Sequence, residues 1–379
     1  MPVETMSRRQ RVRNAIEHKP VDRIPIDLGA HFSTGISVFA YYNLRKYLGL
    51  DVSHVEMIDS VQMLARVEDD ILERFHVDTK LLRPRWKDPV LWNPRDEYQF
   101  WICRRLNPEL QPNGDYIVRV DNGKMRMPKG GYFFDGDWLQ VSELDEDENI
   151  AALVKEADDM RENGDYFNMY MEYGAYFGGI DEACDMYTDP DDVVDAHEAA
   201  HARNIAHFEK LLRADKKGNI DCIALNSDLG MQNAPMLRPE MYEEFCMPYV
   251  KKLCDFIHRN SDMKVFLHSC GSIEPLIPYI IEAGVDVLNP VQISAQNMDP
   301  QTLKDRYGSR ICFWGGGCNT QHVLGVKTPE EVRANVRELM RVFGRDSGFV
   351  FNQVHNILGN VPPENIVAML EAAYEFSVN

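Results

Sequence analysis

Two short stretches of this chain combine residue types that can hold a metal ion. In "HEAAHARNIAH" (197–207), His197 and His201 stand one helical turn apart with Glu198 between them, which is the spacing of zinc proteases. His207 falls where some of those enzymes keep a third imidazole, with Asn204 in place of the glycine they need. The second stretch is "VFLHSCG" (265–271). On a strand, positions two apart point to the same side, so His268 and Cys270 converge, and neutral imidazole and thiolate are both strong zinc ligands. Three protein ligands would leave one position of a tetrahedral ion open for substrate.

The choice between the two depends on the elements that carry them. Eight short apolar runs read as strands: 23–29, 78–84, 166–174, 220–230, 264–271, 285–290, 311–317 and 349–357. Their near-continuous apolar character suits parallel strands buried on both faces. Helical patterns alternate with them. "RPEMYEEFCMPYVKKLCDFIHR" (238–259) has proline early and basic residues late. "TPEEVRANVRELMRVFG" has Thr328 as N-cap, Pro329 at the first helical position and Gly344 at its end. "PPENIVAMLEAAYEF" is a further helix begun by proline. The fold class expected is α/β, a (β/α)8 barrel over residues 1–379 with an N-terminal helical segment. An aromatic, proline-rich insertion at about 88–140 lies over one mouth. It contains a hairpin in "YIVRVDNGKMRMP" turning at Asn122-Gly123.

In that frame the protease pattern fails. Residues 189–218 form one continuous helix in which Val194, His197, His201, Ile205, Phe208 and Leu212 follow spacings of three and four. His207 then lies roughly 120° around from His201, and barrel chemistry belongs at strand C-termini, not on an outer helix. The imidazoles at 197 and 201 read as satisfied, partly buried side chains.

The strand ends offer more. Beside His268 and Cys270, "NPVQ" (289–292), "GGGCNTQ" (315–321) and "NQVHN" (352–356) supply Gln292, Cys318 and His355, with either Cys318 or His355 as third ligand and Gln292 as a possible fourth or a substrate contact. "LNSDLGMQ" (225–232) contributes Asn226 for substrate, and Asp228 and Gln232 for catalysis. Glu172 closes its strand as a further catalytic candidate. Asp27 and His31 follow the first strand, and His31, Tyr173 and Trp314 are candidate substrate contacts, with Tyr176 and Phe177 as apolar wall.

Composition narrows the partners. With 41 basic against 60 acidic residues, the formal charge of −19 argues against nucleic acid and anionic membrane. No apolar run approaches 18 residues, and the charged amphipathic start reads as a helix, not a secretory signal. Eight cysteines without paired spacing suit a reducing compartment, so a cytoplasmic location is expected.

"RVRNAIEHKPVDRIPIDLG", "HSCGSIEPLIPYIIEAGVDVLNPVQ", "FWGGGCNTQ" and "VHNILGNVPPENIVAMLEAAYEF" together resemble the uroporphyrinogen decarboxylase superfamily, and within it the cobalamin-dependent methyltransferases. The resemblance spans nearly the whole chain, with His-x-Cys-Gly its most specific part. It implies zinc held by His-x-Cys and a cysteine near the last strand. Here His355 stands at that cysteine's place, so either it or Cys318 completes the set. The decarboxylase's Arg-Gln-Ala-Gly-Arg segment, which would grip substrate carboxylates, is replaced by "DLGAHFSTGI" (27–36), without arginine. The expected function is methyl transfer between a small methylated or methoxylated compound and a corrinoid (cobalamin) carried by a partner protein. The alternatives are a decarboxylase of a tetrapyrrole or other carboxylated substrate, and a non-catalytic corrinoid- or metal-binding protein.

Overall fold

The computed structural model describes residues 4–137, 141–171 and 176–378. Six parallel strands form one sheet in chain order: Met169–Met171, Cys222–Asn226, Lys264–His268, Val287–Asn289, Cys312–Trp314 and Phe349–Val350. Two extended segments carry the ring onward through single parallel bridges, Ile26 to Phe351 and Thr79 to Phe167. The Asp78 amide donates to the Ile26 carbonyl at 2.8 Å, so backbone bonds run the whole way round. This is the α/β barrel expected.

Alternation along the strands divides the core in two. Phe167, Met169, Cys222, Ala224, Phe266, Val287, Cys312, Trp314 and Val350 fill the barrel interior, and Val12, Ala15 and Ile16 of the helix Arg8–Ile16 plug its lower end. Neighbours such as Val265 and Leu267 face the surrounding helices. Burying a ring the size of Phe266 is worth roughly 2–3 kcal/mol, so a polar residue on this inward face is tolerated only at the open end. His268, two residues beyond Phe266, occupies that end.

The strands are shorter than the apolar runs suggested, because at the mouth the chain leaves the ladder and becomes loop. Helix signals translate more directly. Thr328 and Glu331 form a reciprocal capping box ahead of Pro329–Phe343. The helix Pro190–Ala214 is uninterrupted, but its inward stripe begins at Val193, and Val194 is exposed. The pattern at 238–259 differs from a plain helix: a π turn over Tyr242–Cys246 precedes Met247–Asn260. Pro248 has no amide hydrogen to give to the preceding turn, and a widened turn there accommodates it.

Residues 89–136 build two small antiparallel sheets. The hairpin Tyr116–Val120 with Gly123–Met127 turns at Asp121-Asn122, one residue earlier than expected. Val120 pairs with Gly123, and Asp121 takes the positive φ (51°) that a two-residue turn requires.

Candidate metal centre and cavity

Strand register sets the geometry. Asn226, His268 and Asn289 end three adjacent strands and are direct neighbours across the sheet. Beyond His268 the chain turns sharply, so that Cys270 Sγ lies 3.5 Å from His268 Nε2. Gly271 makes that turn possible at φ 89°, and a Cβ there would meet the Gly230 backbone at 2.4 Å. This close approach brings in the loop bearing Asp228, whose Oδ1 accepts the Cys270 amide at 3.0 Å and lies 3.7 Å from His268 Nε2.

His355 arrives from the loop after the last strand, with its ring 5.8 Å from that of His268. One ligand atom each from His268, Cys270 and His355 lies within 4.8 Å of the others. Zinc–nitrogen and zinc–sulfur bonds of about 2.1 and 2.3 Å in a tetrahedron separate ligand atoms by roughly 3.5 Å. The His268–Cys270 spacing already matches, and the group as a whole needs only a small contraction. The donor set fits zinc.

Burial governs the protonation of all three groups. Burial is the largest cause lowering the pKa of His268, with Asp228 and Asn289 opposing it. Burial, then the neighbouring His268, lowers His355 to about 4. Burial and Asp228 push the Cys270 thiol up. Burial thus favours the neutral form of both imidazoles, the form that ligates, and the protonated form of the thiol, which a metal ion would have to deprotonate.

This charge pattern has a consequence for stability. Below the unfolded histidine pKa of 6.5, the unfolded chain takes up a proton at position 355 that the folded chain refuses down to about 4. Acidification across that window therefore favours unfolding, by up to about 3 kcal/mol from this residue. Urea unfolding of metal-free protein at about pH 7 and about pH 5 should show the loss, and His355→Gln should make it smaller, with the remainder due to His268 and His31, whose pKa values burial also lowers. An equal slope in wild type and variant would contradict the assignment.

The two imidazoles of this group line a cavity of about 750 Å³, within the usual range for small-molecule sites. His31, Asn226, Asp228, His268 and His355 line it, with apolar wall from Phe32, Met171, Phe177, Tyr132, Phe133 and Phe134, the last three from the insertion. No lining residue is Lys or Arg, and neither internal stretch outside the described residues contains one. Glu172 and Tyr173 lie outside the described residues.

Four expected site residues have other tasks. Cys318 is wholly buried in the outer core, away from the ligand group, and burial pushes its thiol up to about 12. Trp314 is buried in the barrel interior between Phe167 and Phe266, its indole donating to Asp27 at 2.8 Å, because its strand position faces inward below the mouth. Gln292 accepts the Gly271 amide at 2.8 Å and donates to Gln232, and Gln232 donates to the Ser294 carbonyl. These two amides brace the loops and do not line the cavity.

Other residues were not singled out by sequence. Asp59, buried and held above the ordinary carboxylate range by that burial, lines the cavity. Asn356 ties the mouth together, accepting the Gly35 amide and donating to Phe32 O and Gln62 Oε1. It stands beside His355 in "NQVHN", where only the metal-ligand type drew notice. Asp59 carries no local signal.

The opening motif is structural. His197 contacts Glu182 at 2.8 Å and the Phe245 carbonyl at 2.9 Å, His201 pairs with the Tyr176 hydroxyl, and Glu198 with Lys252.

Comparison with known proteins follows this geometry. A family model described as uroporphyrinogen decarboxylase (URO-D) matches residues 182–376, just over half of the chain. A curated uroporphyrinogen decarboxylase of Chlorobium phaeobacteroides is 28% identical over 151 residues, covering 38% of this chain and 40% of that protein. One from Methylococcus capsulatus is 37% identical over 79 residues, 21% of this chain and 22% of that protein. The chain thus spans two fifths or less of the length of these relatives. A solved structure described as a methyltransferase from Methanosarcina mazei superposes with a TM-score of 0.59 at 15% identity, covering 98% of this chain and 99% of that one, and shares the fold.

Proposed function

Because the chain belongs to the uroporphyrinogen decarboxylase (URO-D) family, an enzyme family, and its barrel mouth gathers two imidazoles and a thiol, we propose that it is a zinc-dependent methyltransferase. It moves a methyl group between a small methylated or methoxylated compound and the corrinoid of a partner protein. The observation that carries this reading is the convergence of His268, Cys270 and His355 at the barrel mouth, where both imidazoles line the cavity. The name of the structural relative from Methanosarcina mazei points the same way.

In this reading His268, Cys270 and His355 hold the zinc. The bound ion supplies Lewis acidity, polarising an ether oxygen or lowering the pKa of a thiol. Asp228 accepts the Cys270 amide and keeps the ligand loop in place, with its carboxylate close enough to His268 to orient a substrate hydrogen. Asn226 and His31, which line the same cavity, contact the substrate. The rings of Phe32, Phe133, Phe134 and Phe177 exclude water around the reacting carbon, and the open mouth admits the corrinoid.

Decarboxylation of a tetrapyrrole or other polycarboxylate, which the curated relatives' names suggest, fits the cavity less well. Several carboxylates would face Asp59, Asp135 and Asp228 with no lining guanidinium or ammonium to pair with. A non-catalytic corrinoid- or metal-binding role would leave the water-excluding walls without a task. Among the described residues no helix is long and apolar enough to cross a membrane, and we place the protein in the cytoplasm.

The deciding experiment follows cob(I)alamin spectroscopically with zinc-loaded protein and a panel of methyl ethers and other methylated compounds. Conversion of cob(I)alamin to its methylated form by at least one donor supports the proposal. Methyl passage only from a methylated corrinoid to a thiol reverses the direction and keeps the class. Neither activity, with carbon dioxide released from a carboxylated substrate, overturns it.

A further inference from the structure

We infer that Asn289 fixes the tautomer and ring orientation of His268, and so decides which imidazole nitrogen faces Cys270 and His355. Its consequence for zinc rests on the metal reading above; the tautomer itself does not.

Asn289 is fully buried at the end of its strand, in register beside His268. Its Nδ2 is 3.0 Å from the Trp314 carbonyl oxygen, which can only accept, so the amide must present its NH2 on that side. Its Oδ1 then faces the other way and can itself only accept. That oxygen is 2.8 Å from His268 Nδ1 and 2.8 Å from Ser33 Oγ. Both neighbours must therefore donate, and the hydrogen of neutral His268 is on Nδ1. The opposite tautomer would press two lone pairs together at 2.8 Å in a dry site. Nε2 is left with a free lone pair, 3.5 Å from Cys270 Sγ.

The orientation of the amide is itself supported from below. Trp314 is wedged between Phe167 and Phe266, with ring centroids 5.9 and 5.6 Å away. Its Nε1 donates to Asp27 Oδ2, and Asp27 Oδ1 accepts from the Thr79 hydroxyl and the Ala30 amide. Asp27 and Trp314 thus reach the site through Asn289 and make no contact with the cavity. Asn289 is a positioning residue.

Two variants test this. Asn289→Leu removes the acceptor at similar volume, whereas Asn289→Asp keeps an acceptor for His268. NMR of histidine-labelled, metal-free wild type should show His268 protonated at Nδ1 and bare at Nε2. Asn289→Leu should lose that pattern and populate the Nε2–H form; Asn289→Asp should retain it. Zinc competition against a chromophoric chelator should show affinity reduced roughly 10–100-fold in Asn289→Leu and far less in Asn289→Asp. Wild-type His268 protonated at Nε2 overturns the inference, as does an Asn289→Leu protein unchanged in both readouts. If Asn289→Leu fails to fold, the wild-type tautomer and its retention in Asn289→Asp decide. A wild type with the expected tautomer that takes up no zinc refutes the metal reading while this inference stands.

Discussion

A Cys270→Ala protein is expected to lose its zinc and, with it, measurable methylation of cob(I)alamin. The apparent free energy of zinc binding by protein ligands runs to about 10–16 kcal/mol. Shared over four ligands this is about 3 kcal/mol each, so loss of one thiolate should weaken binding on the order of 100-fold. The effect on turnover should be larger, because the thiolate also sets the charge and geometry of the open position. The fold should survive, since Cys270 is in a loop at the mouth and contributes nothing to either core cluster. Cys318→Ala is the control: it leaves a small cavity in the outer core but removes no member of the ligand group, so zinc content should be unchanged. Zinc analysis of the dialysed proteins checks both. Stoichiometric zinc in Cys270→Ala, or loss of zinc from Cys318→Ala, would reverse the proposed ligand set.

The second large effect is on stability and lies at the opposite end of the barrel. Asp78 is fully buried and accepts four hydrogen bonds, one from Arg11, two from Arg23 and one from the Ile26 amide, at 2.6 to 2.9 Å. Both arginines are also buried. Asp78→Ala would take the one fully buried carboxylate from two buried guanidiniums, leaving Arg23 the poorer paired, and free the first strand segment where its backbone pairing is thinnest. Arg11 would keep Asp22, and Arg23 only the partly exposed Glu4 and backbone carbonyls. Breaking a buried ion pair from one side typically costs about 3–5 kcal/mol, which is a large part of the 5–15 kcal/mol that ordinarily holds a fold together. Urea unfolding should show a loss of that size. Asp88→Ala, which removes an exposed pair with Arg104, should leave the midpoint unmoved. Equal, small effects from the two would mean that the buried network is not the clasp described.

Local chemistry made much of this architecture legible in advance. The capping box at Thr328, the proline starts and the apolar strands depend on neighbours a few residues away, and so did the convergence of His268 and Cys270 on one strand end. Strand limits and the hairpin tip were less readable, because the point at which a chain leaves its ladder depends on the partner strand. The four expected site residues that stand away from the cavity share one cause. Trp314, Gln292, Gln232 and Cys318 have suitable side chains near strand ends, but one position along a strand separates the cavity from the packed interior or the outer core. Asn289 was passed over for the same reason: its value lies in a register alignment with His268 that spacing along the chain does not encode.

The order of residues alone determined a parallel barrel of alternating strands and helices, an imidazole and a thiol at one rim, and a first-strand loop without the guanidinium grip of a carboxylate binder. It also sufficed to dismiss the protease pattern, since an unbroken helix keeps its imidazoles off the rim. Only the tertiary structure brought His355, and not Cys318, within reach of them, lined the cavity with no Lys or Arg among the described residues, and set an amide of the neighbouring strand against His268. Helices and strands are written by short-range periodicity, whereas a site is an intersection of distant segments, set by barrel closure and strand register. Those follow from the packing of the whole chain.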